Sequence, residues 1–200
     1  MGVLVGRKAP NLKGAAVLGN GEIVDNYNFK KATEGKIKVI FFYPLDFTFV
    51  CPSELIAFDH RLADFQKRGV EVIGVSIDSQ FTHLAWRNTA VKDGGIGQID
   101  FPLVADTDHK IMKKYGVKHP ASIALRGSFL IDPEGIVRHQ VVNDLPLGRE
   151  VDEMLRLVDA LQFHEEHGEV CPAGWQKGDE GMKADAEGVA DYLAKHGDDL

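Results

Sequence analysis

Cysteine is nearly absent from this 200-residue chain, which holds only Cys51 and Cys171, too few for the disulfide framework that staples small secreted domains. No apolar run approaches the roughly 20 residues needed to span a bilayer; the longest, such as Val39–Tyr43, are strand-sized. Positive charge is also short: 23 Lys and Arg stand against 30 Asp and Glu, for a net charge of −7. Without a basic stripe to neutralise phosphates, nucleic acid and an anionic membrane are not expected as partners. The opening, Met1–Pro10, lacks the charged region, apolar core and small-residue cleavage site of a secretory signal, so a cytoplasmic protein is expected. What remains is an ordinary globular composition, 44% hydrophobic and 26% charged. That length and composition suit one domain with an arm to spare.

In a reducing compartment, sparse cysteines are more often catalytic, metal-binding or inert than structural. The setting of Cys51 favours catalysis. The run Val39–Tyr43 has the length of a strand covered on both faces, and Pro44 ends it because proline cannot donate to a ladder. After a short loop, Cys51-Pro52 followed by Ser53 and Glu54 reads as a helix start. A thiol placed there meets unsatisfied backbone N–H groups and the positive end of the helix dipole, which favour thiolate. The helix is not sufficient. A free cysteine has a pKa near 8.5, and lowering it by about two units takes roughly 2.7 kcal/mol; a helix terminus supplies about 0.3–1 kcal/mol, and about 2 at best. A nearby arginine, whose charge-assisted hydrogen bond contributes about 1.5–3 kcal/mol, would close the gap.

The rest of the chain alternates strands and helices. Gly19-Asn20-Gly21 is a turn between residues 15–18 and 22–24. Helical spacing of Leu55, Phe58, Leu62 and Phe65 covers residues 53–68, with Gly69 as C-cap, and residues 70–77 form a second buried strand, completing a parallel βαβ unit. A helix over 80–91 carries His83 and Trp86. A short strand over 101–105, a helix over 108–115, a hairpin of 124–131 with 136–142 turning at Asp132–Gly135, and an amphipathic helix over 149–166 follow. The glycine-rich end shows little apolar periodicity and reads as an arm. This is an α/β sheet of mixed direction, with Cys51 at the carboxyl end of a strand.

Several chemistries do not fit. A Cys-x-x-Cys exchanger would need cysteine where Glu54 stands, and a cysteine hydrolase would need a histidine in a recognisable motif. His164 and His167, with Glu165, Glu166 and Cys171, do not have the spacing of H-E-x-x-H, so no metal is expected. Gly94-Gly95-Ile96-Gly97 does not follow a strand and open a helix, which a dinucleotide fingerprint requires. Trp86, Phe47 and Phe49 are read as packing residues, and no apolar surface of the kind a holdase uses is evident.

The stretch Phe42–Pro52 resembles the active-site signature of the peroxiredoxins, P-x-x-x-T-x-x-C, through Pro44, Thr48 and Cys51. Gly168-Glu169-Val170-Cys171-Pro172-Ala173-Gly174-Trp175 resembles the resolving-cysteine segment of their typical two-cysteine subfamily. The resemblance implies a thioredoxin-like fold, a mixed central sheet flanked by helices, with a peroxidase domain over 1–163 and an arm over 164–200. It makes Cys51 the peroxidatic nucleophile, gives Thr48 the hydroxyl that contacts thiolate and peroxide, and has Pro44 shield the site from water. The segment Leu125–Asp132 matches the family's active-site arginine at Arg126, the cation demanded above. Glu54 and Arg149 match supporting positions. Cys171 of the other subunit would resolve the sulfenic acid as a disulfide, which thioredoxin or a dedicated flavoprotein disulfide reductase would reduce. Homodimers able to form rings of five dimers are implied, with no flavin, haem or metal. Gly94–Gly97 and Tyr192-Leu193 are near matches to the family's Gly-Gly-Leu-Gly and Tyr-Phe segments, which implies intermediate sensitivity to overoxidation.

Overall fold

The computed structural model describes residues 2–198. In chain order its elements are β1 (Lys13–Val17), β2 (Ile23–Asn28), α1 (Phe29–Ala32), β3 (Ile37–Phe42), α2 (Cys51–His60), α3 (Leu62–Lys67) and β4 (Val70–Ser76). There follow α4 (Gln80–Asn88), β5 (Leu103–Ala105), α5 (Lys110–Tyr115), β6 (Arg126–Ile131), β7 (Val137–Asn143), α6 (Val151–His167) and α7 (Ala186–His196). The strands make one sheet in the order β2-β1-β5-β4-β3-β6-β7. β3, β4 and β5 run parallel, whereas β6 and β7 on one side and β1 and β2 on the other pair antiparallel. The sheet is therefore mixed, and β3 lies inside it between β4 and β6.

All six residues of β3 are buried, which explains why its sequence does not alternate. Successive side chains leave opposite faces. Phe41 stacks on Phe58 of α2 with ring centroids 4.2 Å apart, while Phe42 meets Tyr115 at 5.1 Å and Phe129 at 5.8 Å on the other side. Both layers are thus anchored on adjacent residues of the strand that leads to Cys51. Gly74 of β4 makes room for the first layer, because a Cβ there would come within 2.7 Å of Leu103 and 3.1 Å of Phe41.

Several strands and helices start about two residues later than their sequence suggests, at Leu103, Lys110, Arg126 and Val151, and three differences are larger. The helix begins at Cys51, as the Cys51-Pro52 start implies, but instead of running unbroken to residue 68 it is interrupted at Arg61, which caps α2 and starts α3. The helix expected over 80–91 stops at Asn88, followed by a single 3-10 turn at Val91–Asp93. The glycine-rich end contains α7, started by the Asp185 side chain accepting from the Gly188 N–H at 2.7 Å.

The chain divides into two compact units, one ending at Val151 and the other beginning at Asp152. Within the second, α6 holds the segment that follows it: Arg156 Nη1 donates to the Trp175 carbonyl at 2.8 Å, and Val170 and Met182 exchange backbone hydrogen bonds of 2.8 and 2.9 Å. Among the described residues, no helix is long and apolar enough to cross a membrane.

Candidate active site

β3 delivers the chain to the site. Tyr43 N–H still bonds to Val75 O at 3.1 Å, then Pro44, buried, starts the loop that ends at α2. Cys51 is the first helical residue, Pro52 the second, and no side chain caps the amino end of α2. Ser53 N–H and Glu54 N–H donate to the Val50 carbonyl at 3.1 and 3.4 Å and Pro52 has no N–H, so the helix acts on the thiol through its dipole and the Cys51 N–H.

Cys51 is buried, with 1% exposure. Its sulfur is 3.0 Å from Thr48 Oγ1 and 3.5 Å from Arg126 Nη1. The Thr48 oxygen is also 2.8 Å from Leu45 O, yet a hydroxyl has one proton to donate. With a thiol, S–H donates to Thr48 while Thr48 donates to Leu45 O; with a thiolate, Thr48 must turn its proton to sulfur. Thr48 therefore responds directly to the charge on Cys51.

Arg126 is fixed from three sides: Nε donates to Leu145 O at 2.7 Å, and Nη1 reaches Glu54 Oε2 at 2.5 Å as well as the sulfur. Glu54 is shared with Arg149, whose Nε and backbone N–H donate to Oε1 at 2.9 and 3.0 Å and whose Nη2 donates to Oε2 at 2.8 Å. Arg149 Nη1 donates to Phe42 O at 2.6 Å, and its guanidinium sits 5.0 Å from the Phe41 ring centre. Burial pushes the Arg149 pKa below its usual value, with Glu54 acting in the opposite direction. Two buried guanidiniums and one carboxylate leave one positive charge uncompensated, and a thiolate at Cys51 would balance it. The gross attraction of a thiolate to a guanidinium 3.5 Å away is about 5 kcal/mol at an effective dielectric of about 20.

A second buried network lies beneath the loop. Tyr43 Oη donates to Asp46 Oδ1 at 2.8 Å, Asp46 Oδ2 is 2.7 Å from His83 Nδ1, and the Asp46 N–H donates to Asp78 Oδ2 at 2.9 Å. Burial raises the Asp46 pKa, against the hydrogen bond and charge of His83. His83 Nε2 is buried without a partner. Sequence reasoning missed this group. The only signal was three polar residues, Tyr43, Asp46 and His83, in otherwise buried positions, and spacing alone does not bring α4 to the loop.

In the second unit, Cys171 is half-buried, with its sulfur 3.5 Å from Ala160 O one helix face away. Burial pushes its thiol pKa up, and Arg156 pulls it down. Of the expected site residues, Cys51, Thr48, Glu54, Arg126 and Arg149 form one bonded cluster, Pro44 is buried at its entrance strand, and Cys171 belongs to the other unit. The reading of Trp86, Phe47 and Phe49 as packing residues holds for buried Trp86 and in part for Phe47, whose ring lies 5.8 Å from that of Trp86 although the residue is 51% exposed, and needs correction for Phe49, which is 97% exposed. Phe47 also has a left-handed backbone, φ 52°, uncommon for a bulky side chain. With Phe81 at 67%, exposed apolar residues are present that the sequence reading did not foresee.

The family model described as AhpC/TSA matches residues 5–140, and that of the C-terminal domain of 1-Cys peroxiredoxin matches residues 160–195. The chain is 57% identical to alkyl hydroperoxide reductase C of Buchnera aphidicola from Schizaphis graminum, over 96% of this chain and 98% of that one. It is 52% identical to peroxiredoxin-2 of Macaca fascicularis, over 96% of each. The reduced 2-Cys peroxiredoxin of Plasmodium vivax superposes with a TM-score of 0.93 at 49% identity, covering 96% of this chain and all 100% of that one.

Proposed function

The chain belongs to the AhpC/TSA family of peroxiredoxins and has their thioredoxin-like fold, and on that premise we propose that Cys51 reduces hydrogen peroxide and organic hydroperoxides and that Cys171 of a second subunit resolves the product. The Cys51 thiolate attacks one peroxide oxygen, the O–O bond breaks, and the leaving oxygen departs as water or alcohol after taking a proton. Sulfur is oxidised by two electrons to sulfenic acid. Arg126, 3.5 Å from the sulfur, and Thr48, 3.0 Å away, are the donors available to the charge that develops on the oxygens. Glu54 and Arg149 position Arg126, and Pro44 shields the site from water. Cys171 then condenses with the sulfenic acid, releasing water, and an external dithiol, thioredoxin or a dedicated flavoprotein disulfide reductase, reduces the disulfide. Residues 164–200 act as the arm that carries Cys171. The unit of function is a homodimer, assembling into a ring of five dimers in which the exposed phenylalanines are covered, and its place is the cytoplasm, where such a reductant is at hand.

The observation that carries this reading is the buried sulfur at the uncapped start of α2 with a hydroxyl and a guanidinium within hydrogen-bond reach. The test is peroxide consumption with a dithiol present: the parent turns over, and Cys51→Ser does not. Turnover by Cys51→Ser would refute it. Oxidised parent should migrate as a dimer on a non-reducing denaturing gel, and migration wholly as monomer would contradict the intersubunit disulfide.

A further inference from the structure

Lys38 is the second residue of β3, at the end of the strand opposite the Cys51 loop, and the other residues of the strand are all apolar. It is buried, with 5% exposure. Its ammonium donates to the Asp132 carbonyl at 3.1 Å, and among the described residues no carboxylate forms an ion pair with it. The Asp132 carboxylate is engaged elsewhere, accepting from Ile136 N–H at 2.7 Å and from Arg138 Nε at 2.6 Å. An ammonium has three N–H donors, so two lack a protein acceptor. Lys38 lines a cavity of about 430 Å³, whose wall also includes Lys30, Lys31, Asn11 and Asn28. Lys8 is beside it, donating to the Glu134 carbonyl. Two carboxylates, those of Glu34 and Glu134, line the same space. Three lining ammoniums, with Lys8 beside them, against two lining carboxylates leave the cavity positive in a chain whose net charge is −7. Burial pushes the Lys38 pKa down, with Lys8 acting the same way and the charges of Asp132 and Glu134 acting against it.

We propose that this cavity binds an oxyanion of the phosphate class, inorganic or organic, with Lys38 as the buried anchor and Lys30 and Lys31 as rim donors. A phosphate oxygen accepts what the Asp132 carbonyl leaves over, and supplies the negative charge that the buried ammonium lacks. The volume exceeds that of a single phosphate, so pyrophosphate and a nucleoside diphosphate are the probes to set beside it. The site lies away from Cys51 and Arg126 and is independent of the peroxidase reading.

The experiment is calorimetric titration of the full-length protein with inorganic phosphate, pyrophosphate and ADP, at ionic strength held constant with chloride. Saturable binding of at least one is expected. Lys38→Met, close in volume, should weaken it about tenfold or more, the loss of one charge-assisted hydrogen bond, and the surface variant Lys30→Gln/Lys31→Gln, which removes two ammoniums, by about tenfold or more as well. Both should keep the parent's peroxide turnover. Tighter binding of ADP than of pyrophosphate would assign the cavity to an organic phosphate, and equal binding to the phosphate group alone. No saturable binding by the parent overturns the proposal, and so does affinity in the rim variant equal to the parent's, even if Lys38→Met fails to fold.

Discussion

Replacing Arg126 by alanine separates the electrostatic duty of the site from its architecture. The guanidinium is 3.5 Å from the sulfur, and a charge-assisted hydrogen bond contributes about 1.5–3 kcal/mol. Expressed fully in the transition state, that slows sulfenic-acid formation by about 10- to 150-fold. The fold should tolerate the loss, because Glu54 keeps both oxygens engaged by Arg149, at 2.9 and 2.8 Å, and a third bond from the Arg149 N–H at 3.0 Å. Glu54→Gln should do the reverse to stability. It leaves two buried guanidiniums facing no carboxylate, and removing one partner of a buried ion pair costs about 3–5 kcal/mol. Stopped-flow mixing with excess peroxide measures the first effect, and equilibrium denaturation of the reduced proteins the second. If Arg126→Ala reacts as fast as the parent, or Glu54→Gln is as stable as the parent, the assignment of duties within the cluster is wrong.

Other perturbations probe the remaining parts. Thr48→Val, which keeps the shape and removes the hydroxyl 3.0 Å from the sulfur, should slow the peroxide step by about tenfold or more, with Thr48→Ser close to the parent. Because burial raises the Cys171 pKa and Arg156 lowers it, the neutral thiol persists above the ordinary thiol range, and disulfide formation should quicken as pH rises. Arg156→Gln should displace that profile to higher pH, slowing resolution at neutrality, and an unmoved profile would remove Arg156 from the step. Leu193→Phe, at a half-exposed position, should raise the sulfinic-acid yield at Cys51 during turnover at high peroxide; an unchanged yield by mass spectrometry would show that this position does not govern overoxidation.

Much of the site was legible because its determinants are local. A continuous apolar run has to be a covered strand, a proline has to end it, and a Cys-Pro pair followed by an acid has to start a helix, so Val39–Glu54 could be placed before any contact was known. The energy shortfall at a helix terminus demanded a cation, although only resemblance pointed to Arg126, 75 residues away in the chain. What stayed hidden depends on long-range contact. Asp46 and His83 are unremarkable polar residues until β3 and α4 bring them within 2.7 Å. Lys38 is one of many lysines until the fold sets its ammonium 3.1 Å from the Asp132 carbonyl and 6.0 Å from the Phe29 ring centre. Residue type alone does not separate Phe47, whose ring lies 5.8 Å from that of Trp86, from Phe49, which is 97% exposed. The end of the chain does hold a stripe at helical spacing, Ala186, Val189, Ala190, Leu193 and Ala194, beginning at the Asp185 N-cap, but three of its five members are alanines, which make it faint among the surrounding glycines and charges.

The most direct measurement is to expose the Cys171→Ser protein to an equimolar amount of hydrogen peroxide in the presence of dimedone, which traps sulfenic acid, and to map the adduct by mass spectrometry. The adduct should form on Cys51 and on no other residue, and should fall sharply in the Cys171→Ser/Arg126→Ala protein quenched at early times. Peroxide consumed with Cys51 left unmodified, or an adduct that forms equally fast without Arg126, would contradict a thiolate nucleophile held and activated by this arginine.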